Sequence, residues 1–151
     1  MNIQWLCLHH SELSVHQLHA ILQLRSEVFV VEQQCIYQDV DGRDLQGDTR
    51  HLMAWSDGQL VGYLRLLDPA LYEGEVVIGR VLTAPAARGT GLGHQLLTQA
   101  LPQAAQHWPQ RPIHLSAQAH LQGYYGRYGF IAAGEPYLED GIPHIAMHRP
   151  A

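Results

Sequence analysis

Apolar positions in the first third of the chain follow a strand-like and then a helical spacing. Residues 3–8 predict a short strand, and Ser14-Val15-His16-Gln17 has the spacing of a capping box, which begins a helix. Apolar residues then recur at nearly helical intervals through about Val31, at Val15, Leu18, Ile21, Leu22, Val28 and Phe29. Residues 32–50 are polar and rich in aspartate, and the pattern predicts a loop there.

The middle of the chain alternates strand-like and helix-like segments. Segments 51–55 and 60–67 flank Ser56-Asp57-Gly58-Gln59, in which the Asp-Gly pair is typical of a hairpin turn. β-forming residues predict a third strand over about 75–83. Leu92, Leu96, Leu97 and Leu101 predict a helix from Gly91, which Pro102 kinks or shortens.

The last third of the chain predicts a strand, a short helix and two further strands. The strand covers 113–117, and the helix covers 121–128 and ends at Gly129. Segments 130–133 and 142–147 supply the last two strands. The resulting order, β-α-ββ-β-α-β-α-β-β, predicts one layered α/β domain.

Composition excludes several kinds of chemistry. The chain has 151 residues, 46% of them hydrophobic, which suffices for the core of one domain. All nine basic residues are arginine, and the net charge is -5. The lack of lysine rules out a P-loop lysine, a Schiff-base lysine and a lysine general base. Nine dispersed arginines in an acidic chain do not build the basic face that nucleic acid requires.

The sequence also predicts the cellular compartment of the protein. Cys7 and Cys35 stand far apart and predict two free thiols in a reducing compartment. We find no signal-peptide pattern and no apolar window near ~20 residues, so we expect a cytoplasmic protein that does not engage membranes.

Segment 39–44, with Asp48, superficially resembles a calcium loop, but its glycine comes too early and the distal glutamate is missing. We therefore expect no metal site.

The segment from Val81 to His94 carries the most specific chemical signal. A predicted strand, a tight turn with Gly89, Gly91 and Gly93, and a helix start together form an anion cradle. Glycine lets the backbone approach closely, and the unpaired N–H groups of the first helical turn point at the ligand. The glycines follow a hairpin in mid-chain, so the pattern departs from the dinucleotide-binding fingerprint, which opens an early βαβ unit.

Two motifs in this order resemble a known superfamily. Arg88-x-x-Gly91-x-Gly93 after Val81-x-Thr83-x-Pro85 resembles the acetyl-CoA pyrophosphate loop of the GNAT N-acetyltransferases. Tyr125-Gly126-Arg127-Tyr128-Gly129-Phe130 resembles their Y-x-x-x-G-F helix, and Gln118 stands where many members carry asparagine. Segments 25–33, 37–42, 50–51, 117–122 and 139–144 together resemble the ElaA-type subgroup of that superfamily.

The resemblance spans essentially the whole chain and implies both a fold and a reaction. The fold is a single-domain GNAT-like α/β fold over residues 1–151, with a mixed, mostly antiparallel sheet flanked by helices and splayed between the fourth and fifth strands. The reaction is transfer of an acetyl group from acetyl-CoA to an amine by direct attack in a ternary complex. The remaining alternatives are a non-catalytic acyl-CoA-binding regulatory module and transfer of a longer acyl group.

The resemblance also assigns roles to residues. Backbone atoms of Val81, Leu82 and Thr83 would pair with the pantetheine arm, and one amide would polarise the thioester carbonyl. The other cofactor-binding residues would be Arg88, Gly89, Thr90, Gly91, Leu92, Gly93 and Gln118. Tyr125 would protonate the departing thiolate.

The general base and the acceptor pocket remain open at this point. Glu75 at the start of the central strand is the leading candidate for the base, with His114 or His144 behind it. Candidates for the acceptor pocket are Arg25, Glu32, Arg50, His51, Asp140 and His144. The acidic balance favours a cationic amine, carried by a small molecule or a peptide. The sequence leaves the oligomeric state open, including a homodimer.

Overall fold

The computed structural model describes residues 2–151. Its strands are β1 (Gln4–His9), β2 (Arg50–Ser56), β3 (Gln59–Leu67), β4 (Val76–Thr83), β5 (Ile113–Gln118), β6 (Ile131–Ala132), β7 (Tyr137–Glu139) and β8 (Ile142–Arg149). Its α-helices are α1 (Val15–Arg25), α2 (Leu92–His107) and α3 (Gln122–Gly126), and a π-helical segment, Ser26–Glu32, continues α1.

The eight strands form one sheet that opens in its middle. The strand order is β1-β2-β3-β4-β5-β8-β6, and β7 also pairs with β8. Neighbouring strands are antiparallel except β4 and β5, which are parallel and pair only at Val76–Ile113 and Val77–His114. Beyond these pairs the two strands separate and leave a gap. The predicted mixed, mostly antiparallel sheet and its splay are therefore confirmed.

Helices cover the two faces of the sheet unequally. The larger core joins one face to α2 and α3, and its buried residues include Ile78, Leu96, Leu97, Leu115, Tyr125 and Met147. The smaller core joins the other face to α1 and its π-helical continuation, through Ile21, Leu24, Val28, Met53, Tyr63 and Leu82. Because α1 packs on β2, β3 and β4, it does not cover the part of this sheet face that β5 and β8 form.

Two local predictions are confirmed. Ser14 Oγ accepts the Gln17 N–H at 3.0 Å, and Gln17 Oε1 accepts the Ser14 N–H at 2.9 Å, which completes the capping box. In the hairpin between β2 and β3, Asp57 and Gly58 have φ angles of 51° and 77°. Both residues are left-handed, as a two-residue type I′ turn requires.

Two local predictions need correction, and one strand was missed. The predicted apolar helix face included Val15 and extended to about Val31, but these side chains are 81% and 68% exposed and lie off that face. Pro102 does not shorten α2, which continues to His107. Pro102 and Thr98 both lie on the exposed side of α2, where the Thr98 carbonyl that loses its partner can reach water. Strand β7 was not predicted, because its three residues are too few to show a pattern.

A buried network of charges fastens the polar loop 33–49 to the sheet. Its six charged members are Arg25 from α1, Arg65 from β3, Arg80 from β4, and Asp39, Asp41 and Asp44 from the loop. Asp44 Oδ1 accepts from Arg25 at 2.6 Å and from Arg65 at 3.0 Å. Each aspartate contacts two of these arginines, and the three positive and three negative charges balance.

The network sets the protonation of its carboxylates. Burial alone would raise the pKa of Asp44, but the hydrogen bond and charge of Arg25, together with Arg65, hold this pKa below its ordinary value. The pKa of Asp41 is also lowered, by Arg65 and Arg80 against the opposing effect of burial. The carboxylates of Asp41 and Asp44 therefore stay charged at neutral pH and stabilise the fold in that form.

Substitution Asp44→Asn tests the contribution of the network to stability. It leaves Arg25, whose side chain is fully buried, and Arg65 with one charged partner each, and it leaves the network with one uncompensated positive charge. We expect the free energy of unfolding to fall by about 3 kcal/mol, measured by urea denaturation. The exposed Asp57→Asn serves as the control and should change it by less than about 0.5 kcal/mol. Equal effects for the two variants would contradict the proposed importance of the network.

The same variant gives a test by pH. The pKa of Asp44 is lower in the folded state than in the unfolded chain, whose carboxyl pKa is about 3.9. The stabilisation is therefore fully present above the unfolded pKa and is lost as the pH falls through the folded pKa. We expect the stability difference between wild type and Asp44→Asn to be constant near pH 6–7 and to shrink below about pH 4. A difference that grows in acid would contradict this.

Candidate active site

An anion cradle lies where β4 passes into α2. Gly89 and Gly91 have φ angles of 78° and 82°, a conformation that glycine adopts without strain. Gly91 is the N-cap of α2, and no side chain caps the helix. The N–H groups of Leu92, Gly93 and His94 in the first turn are therefore available to an anion, which the helix dipole also favours.

A bulge in β4 precedes this cradle. The register with β3 passes from Arg65–Gly79 to Tyr63–Leu82, so three residue steps on β4 oppose two on β3. Arg80 lies in the bulge with a φ of 53°, which is a strained conformation for a residue other than glycine.

The charged network holds Arg80 in that conformation. Arg80 Nε lies 2.9 Å from Asp39 Oδ1, and Nη2 lies 3.3 Å from Asp41 Oδ2. The guanidinium also lies 5.4 Å from the centre of the Tyr37 ring. The sequence pattern did not reveal the part that Arg80 and these aspartates play, because a bulge does not change the alternation of apolar residues in a recognisable way.

Backbone groups beyond the bulge alternate between β3 and the gap. The Ala84 N–H donates to the Val61 carbonyl at 2.7 Å, and Leu82 pairs with Tyr63, so Leu82 and the residue just after β4, Ala84, direct their backbone toward β3. Successive residues alternate, so Val81 and Thr83 direct their N–H and C=O groups into the gap.

The prediction for Leu82 is corrected accordingly. Its backbone faces β3, and its side chain is 4% exposed in the core under α1. Leu82 therefore has no backbone group to offer a ligand in the gap. Of the three predicted strand residues, Val81 and Thr83 remain candidates.

The tyrosines of α3 and the following turn pack against the start of α2. Tyr125 is 6% exposed and meets Phe130 edge to face, with 6.2 Å between ring centres. Burial raises the pKa of Tyr125 to about 12, so its phenol is protonated at neutral pH. Tyr128 and His94 are hydrogen-bonded at 2.7 Å between the hydroxyl and Nδ1. This contact fixes the helix that carries Tyr125 beside the cradle.

Arg88 and Glu32 form an ion pair at the cradle. Arg88 Nη1 and Nη2 donate to the two carboxylate oxygens of Glu32 at 2.6 and 3.1 Å. Their side chains are 44% and 38% exposed, and an exposed pair of this kind contributes little stability. The two residues were predicted in different roles, and the structure brings them together.

Two residues predicted for the acceptor pocket lie inside the protein instead. Arg25 is 0% exposed, and its guanidinium donates to the Asp39 and Asp44 side chains and to the Asp39 carbonyl. His51 is also 0% exposed, between the Tyr63 hydroxyl at 2.6 Å and the Asp44 carbonyl at 2.9 Å, and burial lowers its pKa. Both side chains hold the loop in place, and neither can face an acceptor.

Arg50 is also displaced from the predicted pocket. Its Nη2 lies 3.3 Å from Asp48 Oδ1, and Asp48 Oδ2 accepts the indole N–H of Trp108, the residue after α2, at 3.0 Å. The 16 residues of α2 separate this end from the cradle by about 24 Å. Arg50 therefore belongs to the opposite end of the molecule.

The remaining predicted residues lie at two levels of the gap. Glu75 stands just before β4 at the closed end, where its Oε1 lies 2.9 Å from His148 Nδ1. His114 pairs with His148 at this same end. Gln118 and His144 pair with each other nearer the open end. Asp140 lies in the turn between β7 and β8, and its carbonyl accepts from Cys35 Sγ at 3.5 Å.

The chain belongs to the GNAT acetyltransferase family, since the family model described as "Acetyltransferase (GNAT) domain" matches residues 11–150. It is similar to the protein ElaA of Escherichia coli, with 54% identity over 147 residues that cover 97% of this chain and 96% of ElaA. The crystal structure of E. coli ElaA matches with a TM-score of 0.94, 53% identity, and coverage of 98% of this chain and 99% of that chain.

A second solved structure is similarly close. The crystal structure of an acyl-CoA N-acyltransferase from Pseudomonas aeruginosa matches with a TM-score of 0.94 and 64% identity, and the match covers 97% of this chain and 99% of that chain. The predicted resemblance to the GNAT superfamily and its ElaA-type subgroup is therefore confirmed.

Two further findings concern residues 2–151 alone. No group of three or more histidine, cysteine, aspartate or glutamate side chains in this range is arranged to hold a metal ion. No helix in the same range is long and apolar enough to cross a membrane.

Substitution Gly91→Val tests the cradle. A β-branched residue at a φ of 82° is strained and displaces the first turn of α2. We expect the affinity for acetyl-CoA to fall at least about 100-fold in isothermal titration calorimetry, with the protein still folded. Gly58→Val introduces a similar strain at the distant hairpin turn, where φ is 77°, and should leave the affinity unchanged. Undiminished binding by Gly91→Val would contradict the assignment.

Proposed function

We propose that this chain is an N-acetyltransferase that moves an acetyl group from acetyl-CoA to an amine by direct attack in a ternary complex. The observation that carries the proposal is the gap between β4 and β5, whose β4 edge leads into an uncapped helix start. An unpaired strand edge fits an extended arm that carries amide groups, and a helix N-terminus fits phosphate. Pantetheine and pyrophosphate are the corresponding parts of CoA, and membership of the GNAT family supports this cofactor.

Each wall of the gap has a role in this proposal. Thr83 pairs with the pantetheine arm, and the Val81 N–H donates to the thioester carbonyl as negative charge develops there. Gln118 borders the gap from β5. The pyrophosphate would be held by Arg88, Gly89, Thr90, Gly91, Leu92 and Gly93. The thioester supplies an already activated acyl group, so the protein needs only to position the amine and stabilise the carbonyl oxygen.

Arg88 would exchange partners when the cofactor binds. Its guanidinium is bidentate to Glu32, and the same fork geometry fits a pyrophosphate, which carries more charge than a carboxylate. Release of Arg88 would leave Glu32 free to attract the acceptor. A cationic amine is the acceptor that suits this carboxylate and the net charge of -5. We propose that the acceptor is a small molecule or peptide of the cytoplasm.

Tyr125 would act on the departing sulfur. Its raised pKa, about 12, keeps the phenol protonated, so it can donate a hydrogen bond as the C–S bond breaks. A thiol has a pKa of about 8.5, so complete proton transfer from the phenol is uphill. A proton released by the amine nitrogen completes the transfer and restores the tyrosine.

The reaction itself is tested with acetyl-CoA and a panel of amines, polyamines and peptides, while thiol release is followed. We expect turnover with at least one cationic amine. Uncharged compounds in the same panel should give little or no turnover. Acetyl-CoA binding without turnover across the panel would contradict the proposal and would favour the non-catalytic acyl-CoA-binding module. Faster thiol release from a longer acyl-CoA would contradict the acetyl group as the natural donor.

Substitution Tyr125→Phe tests the role of the phenol. Loss of the hydroxyl removes the donor to the leaving sulfur but keeps the buried ring, so we expect kcat to fall by about 10- to 100-fold. The KM for acetyl-CoA should stay within about threefold. Tyr124→Phe, one residue earlier on α3, is the matched control and should retain most of the activity. The reverse result for the two variants would show that the wrong tyrosine was assigned.

A further inference from the structure

The sheet has a face beside the gap that α2 and α3 do not cover. Ile113, Leu115 and Ala117 of β5, with Ile145 and Met147 of β8, are buried in the core with α2 and α3. Strand residues alternate between the faces, so the intervening residues of β5 and β8 point to the opposite side. These residues are His114, Ser116 and Gln118 of β5, and His144, Ala146 and His148 of β8.

His144 lies level with the amide that is proposed to polarise the thioester. β4 and β5 start in register at Val77–His114, and the bulge takes up one residue of β4. Val81 is therefore level with the last two residues of β5, and the final one, Gln118, pairs directly with His144. The pairing places the imidazole on β8, one strand beyond β5, which borders the gap, and at the height where the amine would attack.

The other candidates for the base lie lower in the gap. His148 pairs with His114, three residue steps below the level of Val81, which corresponds to about 10 Å. Glu75 lies about five steps below, on the order of 16 Å, and its carboxylate contacts His148. The register therefore argues against Glu75, which the sequence favoured.

The contacts of His144 suit a proton acceptor. Its Nδ1 lies 2.7 Å from the Ile142 carbonyl, which can only accept, so Nδ1 carries a hydrogen, and in the neutral ring Nε2 is the nitrogen with the lone pair. Nε2 lies 3.3 Å from Glu139 Oε2, and the ring stacks on Tyr137 with 6.3 Å between centres. When Nε2 gains a proton, both ring nitrogens have acceptors.

We propose that His144 is the general base that deprotonates the acceptor amine, with Glu139 stabilising the protonated ring. This inference rests on the proposed function and extends it. The ammonium of the acceptor gives one proton to Nε2 of His144, and its lone pair then forms the N–C bond. The C–S bond breaks, the sulfur takes a proton through Tyr125, and the second proton lost by the nitrogen restores the tyrosine. His144 returns its proton to solvent past Glu139, whose side chain is 50% exposed.

The groups that face His144 are few. Tyr137 and Glu139 of β7 are the titratable groups beside the ring. Gln118 faces it from β5 and is uncharged. Asp140 and Cys35 meet beyond these, at the turn after β7. The pH dependence of the step should therefore respond chiefly to Glu139.

The test is the pH profile of kcat/KM, measured from pH 6 to pH 10 with an amine that the wild type acetylates. We expect His144→Gln to lower kcat/KM by about 100-fold at pH 7. The kcat/KM of this variant should then rise about tenfold per pH unit up to the pKa of the amine, because only the free amine reacts. The wild-type profile should reach its plateau at a lower pH. Acetyl-CoA affinity should be unchanged, which also shows that the variant is folded.

A second variant keeps the imidazole and changes its partner. Glu139→Gln removes the charge that stabilises the protonated ring, so the rising limb of the profile should shift to lower pH. Loss of a merely structural contact would lower the rate without moving the limb. An unmoved limb would overturn the role of Glu139.

The matched control is His148→Gln, a histidine of the same strand and face at the closed end of the gap. It should change kcat/KM by less than about twofold. If His148→Gln loses the plateau and His144→Gln keeps it, the assignment of His144 is overturned. If the wild type itself releases no thiol with any amine, the proposed function fails, whereas wild-type turnover with an unaltered His144→Gln profile overturns the base alone.

Discussion

A balanced set of three arginines and three aspartates holds the loop 33–49 against the sheet, and the site depends on it. Removing any one member leaves the network with one uncompensated charge, which is costly in the protein interior. Arg80 links the network to the bulge in β4, where its left-handed backbone is strained and needs outside support. The same loop also meets the turn after β7, through Cys35 and Asp140.

The bulge in β4 and the separation of β4 from β5 together leave backbone groups of β4 available to a ligand. Backbone N–H and C=O groups require partners, yet β4 loses β5 after Val77 and directs Val81 and Thr83 into the gap. The fold thus ends one ladder of hydrogen bonds early and keeps an edge available for an extended ligand. The uncapped start of α2 continues that edge with N–H groups suited to phosphate. Neither element needs lysine, which agrees with a chain whose basic residues are all arginine.

The sequence predicted well those features that neighbouring residues determine. The capping box at Ser14, the turn at Asp57-Gly58 and the left-handed backbone of Gly89 and Gly91 each depend on a few neighbouring residues, so the sequence pattern reveals them. The buried roles of Arg25 and His51 were missed because polarity alone suggested exposed ligands. The Arg80–Asp41 contact joins residues 39 apart, and only the folded sheet brings them together. The positions of His144 and Glu75 along the gap likewise depend on strand register, which composition does not reveal.

We propose that the bulged edge of β4 and the start of α2 form one continuous binding surface for acetyl-CoA. A crystal structure of the protein with acetyl-CoA tests this most directly. We expect electron density for pantetheine hydrogen-bonded to Val81 and Thr83, with the pyrophosphate on the N–H groups of Leu92, Gly93 and His94. Density for the cofactor on another surface, or with the Val81 N–H unengaged by the thioester carbonyl, would contradict it.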